Sequence, residues 1–281
     1  MNCIVRTLKP QLQKTLRRLG LYHRLQASHL YDFYWGITDN SLVERRGKEV
    51  DFYRRLLSGF RSGDLIFDVG ANHGAKTDVF LRLGAQVVAI EPDDVNQQIL
   101  REKFLRYRLT RKPVVIVGKA LSDKNAIETM WVDEPGSAKN TLSPKWVETL
   151  RDDEGRFGHR LNFAQQTEVE TTTLEQLIIT QGLPFFVKID VEGHELYVLR
   201  GLHRPVPYLS FEVNLPEFRS EGLACVEVLA RLAREGKFNY ASDCQQGLLL
   251  DRWLKPQEFS QVIDQCAEKS VEVFWKTCIT T

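Results

Sequence analysis

This sequence lacks long apolar runs, an excess of either charge and closely spaced cysteine pairs. No segment approaches the roughly 18 apolar residues that a membrane-spanning helix needs. Lys and Arg number 38 against 37 Asp and Glu, so no overall positive field attracts nucleic acid. The five cysteines include no C-x-x-C pair, which argues against a zinc site and a disulfide framework. We therefore expect a cytoplasmic protein without a nucleic-acid partner.

Basic residues and leucines characterise the N-terminal stretch. Residues 1–31 contain several Lys and Arg before the first acid, Asp32, and their leucines recur at helical spacing. We favour a helix that packs on its own domain or on a second subunit. The alternative is a helix that lies on an anionic membrane surface. The sequence predicts a helical extension at residues 1–62 before the main domain at residues 63–281, and it does not indicate the oligomeric state.

Short apolar runs alternate with helix-length segments through the main domain, which predicts an α/β fold with about seven strands in a mostly parallel sheet. The last two strand candidates, residues 238–240 and 271–275, are expected to form a closing hairpin with an antiparallel strand at the sheet edge. Residues 124–165 interrupt the alternation with Pro, Gly and mixed charges. We interpret them as an insertion that helps to bind a ligand.

A glycine loop follows the first predicted strand as Asp68-x-Gly70-x-Asn72-x-Gly74, and the second strand ends on Glu91-Pro92. Glycines let the backbone approach a ligand, and an acid about twenty residues later can accept ribose hydroxyls. Because Asp68 would repel a phosphate but suits an ammonium group, the pattern favours S-adenosylmethionine over a dinucleotide. The loop after the third predicted strand adds Ala120 and Leu121. The predicted cofactor-binding residues are therefore Asp68, Gly70, Asn72, Gly74, Glu91, Pro92, Ala120 and Leu121.

Three sequence blocks carry a family resemblance: FDVGANHGAKT at 67–77, VVAIEPD at 87–93 and VKIDVEGHELYVLRGL at 187–202. On these blocks the sequence resembles the FkbM family of S-adenosylmethionine-dependent methyltransferases. The resemblance implies the class I methyltransferase fold, a Rossmann-like sheet with strand order 3-2-1-4-5-7-6. It also implies O-methylation, typically of a sugar hydroxyl in a glycan or of a secondary metabolite. A non-catalytic module that binds the cofactor or a membrane surface is the alternative.

The third block contains the candidate catalytic residues Asp190, Glu192 and His194. Ligands bind at the carboxyl ends of strands in open α/β sheets, so we expect Asp190 near the methyl group. Any of the three could take the proton of an acceptor hydroxyl. Asp190, Glu212 and Asn214 could hold Mg²⁺, although the resemblance requires no metal and we do not expect one. Trp131 and Trp146 of the insertion fit an aromatic core better than a surface that stacks on sugar rings.

Overall fold

The computed structural model describes Leu16 and residues 22–26, 41–109, 114–152 and 161–277. Within residues 1–31, this includes Leu16 and one short helix, α1 (Tyr22–Gln26). The rest of the predicted basic helix, and any contact it makes with a membrane, lie outside the described residues. In the described part of the chain, no helix has both the length and the apolar character needed to cross a membrane.

Seven strands form the main sheet. They are β1 (Leu65–Val69), β2 (Gln86–Ile90), β3 (Val114–Val117), β7 (Phe186–Ile189), β8 (Tyr208–Asn214), β9 (Lys237–Ala241) and β10 (Ser270–Lys276). Their spatial order is β3-β2-β1-β7-β8-β10-β9. Counting only these seven in chain order gives 3-2-1-4-5-7-6. This confirms the class I methyltransferase fold and its predicted strand order.

The predicted closing hairpin with an antiparallel strand at the edge is wrong. The antiparallel strand β10 lies inside the sheet, where Val273 pairs with Phe211 of β8 on one side and with Tyr240 of β9 on the other. A helix, α10 (Pro256–Gln265), connects β9 to β10. The chain places β9 at the edge first, one strand position away from β8, and then returns to fill the gap between them as β10.

Helices cover both faces of the main sheet. In chain order the remaining ones are α2 (Ser41–Leu56), α3 (Ala75–Leu83), α4 (Asp94–Lys103), α5 (Leu105–Leu109), α6 (Pro144–Asp152), α7 (Leu174–Gln181), α8 (Glu195–Arg200) and α9 (Arg219–Leu232). Tyr53 of α2 contacts the rings of Phe80 and Phe186, at 5.0 and 5.6 Å between centroids. The last helix of the predicted extension therefore packs into the core of the main sheet.

The described residues of the insertion, 124–152 and 161–165, form a layer beside the main sheet. Its strand β5 (Ile127–Val132) joins β6 (Gln165–Thr172) and β4 (Ala120–Leu121) in a three-stranded sheet of order β4-β6-β5. Trp146 of α6 is fully buried and packs edge-on against Phe218, with 5.3 Å between ring centroids. This confirms that Trp146 belongs to an aromatic core.

Candidate active site

A cavity opens at the carboxyl ends of β1, β2 and β7, and we call it the cofactor cavity. It holds about 730 Å³ of empty space, a figure that includes the open solvent at its mouth. Six of the eight predicted cofactor-binding residues and all three candidate catalytic residues line it. These are Gly70, Asn72, Glu91, Pro92, Ala120, Leu121, Asp190, Glu192 and His194.

Gly70 allows the loops after β1 and β7 to touch. Its backbone N–H donates to the Ile90 carbonyl at 3.0 Å, and its φ is 77°, in the left-handed region that favours glycine. A Cβ at this position would stand 1.8 Å from the Asp190 carbonyl oxygen. The missing side chain therefore sets the distance between the two loops that border the cofactor cavity.

Glu91 is fixed within the cavity wall with only 6% of its surface exposed. Its Oε2 accepts the backbone N–H of Asn72 at 2.7 Å, and its Oε1 accepts that of Asp93 at 2.9 Å. Burial raises the pKa of Glu91 to about 7, although these two hydrogen bonds favour the charged form. Each oxygen keeps further acceptor capacity, so the carboxylate is prepared to accept hydroxyl groups such as those of a ribose.

Asp68 and Gly74 are outside the lining of the cofactor cavity. Asp68 is fully buried, and its Oδ2 accepts the Thr77 hydroxyl at 2.5 Å. Burial raises the pKa of Asp68, and the nearby Lys188 ammonium opposes that rise. Its Oδ1 has no hydrogen-bond partner among the described residues. Gly74 caps α3 with φ 71° and packs against Phe104. Asp68 and Gly74 therefore support the glycine loop through contacts outside the cavity lining.

The insertion contributes a roof loop, residues 133–142, which covers the cofactor cavity. Asp93 Oδ2 accepts the backbone N–H of Gly136 and the Nδ2 of Asn140, both at 3.0 Å. At the other end, the Thr141 hydroxyl donates to the Glu192 carbonyl at 2.7 Å. The roof loop thus ties the end of β2 to the loop after β7. The sequence predicted an insertion here but offered no motif for these individual contacts.

Three carboxylates meet at the far end of the cavity. Asp190, Glu192 and Glu212 each place one oxygen within 4.8 Å of the others. Burial by itself would raise the pKa of Asp190, but the Lys188 Nζ at 2.8 Å lowers that pKa below its ordinary value. Burial and the neighbouring Asp190 raise the pKa of Glu212 well above its usual range. Near neutral pH Asp190 is therefore ionised, and Glu212 holds a proton more readily than an ordinary glutamate.

Hydrogen-bond donors of the protein already hold this cluster together. Lys139 Nζ lies 2.9 Å from Glu192 Oε1, and Trp146 Nε1 donates to Glu192 Oε2 at 3.0 Å. Asn214, a member of the predicted metal set, donates its Nδ2 to Glu212 Oε2 at 3.3 Å. A divalent cation would have to displace these donors and the Lys188 ammonium. The donor set fits a carboxylate network better than a metal centre.

His194 lines the cofactor cavity, and two neighbours hold its ring. Its Nε2 lies 3.2 Å from the Ser122 hydroxyl, and its ring stacks on Tyr197 with 4.6 Å between centroids. Burial lowers the pKa of His194 to about 4, so the imidazole is neutral at pH 7. Of the two candidate carboxylates, Asp190 is the more accessible, with 38% of its side chain exposed against 12% for Glu192.

Two residues that the sequence analysis passed over shape the site. Glu195 is buried, and its Oε1 accepts the backbone N–H groups of Val191 and Gly193 at 3.1 and 3.2 Å. This holds the loop in which Glu192 adopts a φ of 53°. Lys188 is the second residue. A lysine inside an apolar strand signals a buried ion pair, and that signal could have identified it.

Comparison with known proteins finds a matching family model and similar solved structures. The family model described as "Methyltransferase FkbM domain" matches residues 68–237. A solved FkbM methyltransferase from Methylobacillus flagellatus KT is 18% identical with a TM-score of 0.49, and the match covers 79% of this chain and 46% of that one. The chain thus spans about half the length of that protein. An S-adenosylmethionine-dependent O-methyltransferase from Thermotoga maritima is 12% identical over 83% of this chain and 66% of its own, with a TM-score of 0.39.

None of the curated proteins compared with this sequence matches it significantly. The family match nevertheless covers more than half of the chain, including the glycine loop, Glu91 and the loop from Asp190 to Gly193. The main sheet has the strand order of S-adenosylmethionine-dependent methyltransferases. The chain belongs to the FkbM methyltransferase family.

Proposed function

We propose that this protein transfers a methyl group from S-adenosylmethionine to a hydroxyl oxygen of a sugar or secondary metabolite. One observation carries the proposal. Glu91 and the ionised Asp190 line the same cavity from the ends of β2 and β7, on either side of the glycine loop. One acid suits the ribose of the cofactor, and the other suits the reacting end.

The walls of the cavity match the parts of this cofactor. Glu91 offers two fixed oxygens to the ribose hydroxyls. Ala120 and Leu121 are buried residues that give an apolar wall for the adenine ring of the cofactor. Gly70 brings the loops after β1 and β7 into contact, and the two loops together form a wall along which the methionyl chain would lie. The roof loop covers this space and limits the access of water.

The chemistry asks little of the protein beyond alignment and one proton acceptor. When bound, S-adenosylmethionine supplies a sulfonium methyl: the new O–C bond forms as the S–C bond breaks, and sulfur keeps the electron pair as a thioether. Asp190 takes the proton that the hydroxyl loses as the O–C bond forms, because its ionised and partly exposed carboxylate lies at the reacting end of the cavity. Glu212 forms a hydrogen bond with Asp190 that stabilises the ionised carboxylate of Asp190. Near-neutral net charge favours an acceptor other than nucleic acid.

The test combines methyl-labelled S-adenosylmethionine with extracts of glycans and metabolites. We expect label to move into a small molecule or glycan. General-base removal typically costs about 100-fold or more, so Asp190→Asn should lower transfer by roughly that factor with little change in cofactor affinity. Asp251→Asn makes the same change at an exposed position and should leave both quantities unchanged.

Other outcomes separate the alternatives. Cofactor binding without transfer to any extract component supports a non-catalytic binding module. Failure to bind S-adenosylmethionine at all contradicts the proposal. Equal transfer by Asp190→Asn and the wild type removes Asp190 from the role of proton acceptor.

A further inference from the structure

Asp93 lies where the end of β2, the start of α4 and the roof loop meet. The residue is buried, and its Oδ1 accepts the backbone N–H groups of Val95 and Asn96 at 2.9 and 3.2 Å, which caps α4. Its Oδ2 accepts the two donors of the roof loop, on Gly136 and Asn140. One carboxylate therefore holds both the start of a helix and the roof loop.

We infer that Asp93 is a positioning residue for the cofactor, because it holds the roof loop in place as one wall of the cofactor cavity. The inference rests on the proposed function, since it takes S-adenosylmethionine as the ligand of this cavity. Asp93 itself does not line the cavity, so it acts through the roof loop. The roof-loop residues that line the cavity are Ser137, Ala138, Asn140, Thr141 and Leu142.

Hydrogen bonds within the roof loop join its residues into one unit. Asn140 donates its Nδ2 to the Glu134 carbonyl and accepts the backbone N–H of Asp133 through Oδ1, both at 3.0 Å. The backbone N–H of Ser137 donates to the same Glu134 carbonyl at 3.0 Å. Because Asn140 also donates to Asp93, the contact at Asp93 bears on the whole unit.

The roof loop packs directly on the first turn of α4. A Cβ at Gly136 would stand 3.1 Å from the Val95 Cγ1 and 3.3 Å from the Asn96 Oδ1. That Asn96 oxygen is buried and has no hydrogen-bond partner among the described residues. An unpaired buried acceptor costs free energy, and the hydrogen bonds that the Asp93 carboxylate accepts from the loop offset this cost.

The four groups that donate to the Asp93 side chain are all N–H groups, so only a carboxylate can accept from all of them. An amide offers one oxygen and one NH₂ group. Because Asn is a good cap residue, Asp93→Asn can keep its oxygen on α4, and its NH₂ group then faces the donors of the roof loop. This substitution therefore separates the cap of α4 from the contact with the roof loop.

Hydrogen exchange measured by mass spectrometry, without cofactor, tests the contact itself. Peptides from residues 133–142 should exchange about tenfold faster in Asp93→Asn and in Asn140→Ala than in the wild type, the factor for one lost hydrogen bond to a charged group. Asp94→Asn is the matched control, since it makes the same change at the next residue, which is exposed. The control should exchange like the wild type.

Calorimetry with S-adenosylhomocysteine tests the effect on the cofactor cavity. Asp93→Asn and Asn140→Ala should each bind it about tenfold more weakly than the wild type and Asp94→Asn do. The double variant Asp93→Asn/Asn140→Ala should bind no more weakly than the weaker of the two single variants, because both changes break the same contact.

Normal affinity in both single variants overturns the inference. A role limited to the cap of α4 would leave Asn140→Ala like the wild type, and additive losses in the double variant would show that Asp93 and Asn140 act separately; either result also overturns it. A wild type that binds no S-adenosylhomocysteine overturns the proposed function instead. The exchange measurement needs no cofactor, so it still shows in that case whether Asp93 holds the roof loop.

Discussion

Replacing Gly70 by Ala should separate the two loops that border the cofactor cavity. The new methyl group would stand 1.8 Å from the Asp190 carbonyl oxygen and 2.9 Å from its carbonyl carbon. Both atoms belong to the backbone and have no rotamer through which to escape. The loop after β7 would therefore have to move, and Asp190 would move with it.

Two costs add up at this position. An L-residue in the left-handed region loses roughly 1–2 kcal/mol, and overpacking a tight contact typically adds about 1–3 kcal/mol. Gly63→Ala isolates the first cost, because Gly63 has a φ of 100° and nothing within 4 Å of its hypothetical Cβ. Gly70→Ala should therefore lower the free energy of unfolding by about 1–3 kcal/mol more than Gly63→Ala does.

Urea unfolding of both variants measures these costs, and calorimetry measures their affinity for S-adenosylmethionine. Gly63→Ala should bind the cofactor like the wild type, since it lies before β1 and away from the cavity. Gly70→Ala should lose most of its affinity. The reasoning about close loop contact is refuted if the two variants are equally stable and both bind the cofactor normally.

Three further predictions concern charge and hydrogen bonding. The pKa of Glu91 is raised to about 7, so its carboxylate is increasingly protonated below that pH. Affinity for 5′-methylthioadenosine, which carries a ribose but no amino acid end, should therefore rise as the pH increases through 7. An affinity that does not change with pH contradicts this prediction. Glu195→Ala leaves the N–H groups of Val191 and Gly193 without their acceptor, at about 1–3 kcal/mol each. Its free energy of unfolding should fall by about 2–6 kcal/mol in urea, whereas a loss below about 1 kcal/mol argues against this role. Methyl transfer should be unchanged by EDTA, because hydrogen-bond donors of the protein already pair with the carboxylates around Asp190. Inhibition by EDTA that Mg²⁺ reverses would show that the site holds a metal.

The strand order could be predicted because local patterns and family motifs agree on it. Each parallel strand of the sheet is a short apolar run, and the class I order follows from the resemblance. That order already places the seventh strand inside the sheet, whereas the apolar runs alone suggested an antiparallel strand at the edge. An apolar run shows neither the direction nor the neighbours of its strand, so the run of β10 could not correct that expectation.

Strand-end acids identified much of the site but could not separate its layers. Asp68 and Glu91 both end or nearly end a strand, yet Glu91 lines the cofactor cavity while Asp68 is buried against Thr77. Which way a side chain turns depends on its neighbours in space. For the same reason, Glu192 joined Asp190 and Glu212 in the cluster, where the sequence analysis had named Asn214.

Calorimetric titration with S-adenosylmethionine, on the wild type and on Glu91→Gln, tests the central claim most directly. The wild type should bind one cofactor per chain. Glu91→Gln should bind it about 10- to 150-fold more weakly, which corresponds to the roughly 1.5–3 kcal/mol of a hydrogen bond to a charged group. No heat of binding with the wild type, or equal affinity in the two proteins, would contradict the assignment of this cavity to the methyl donor.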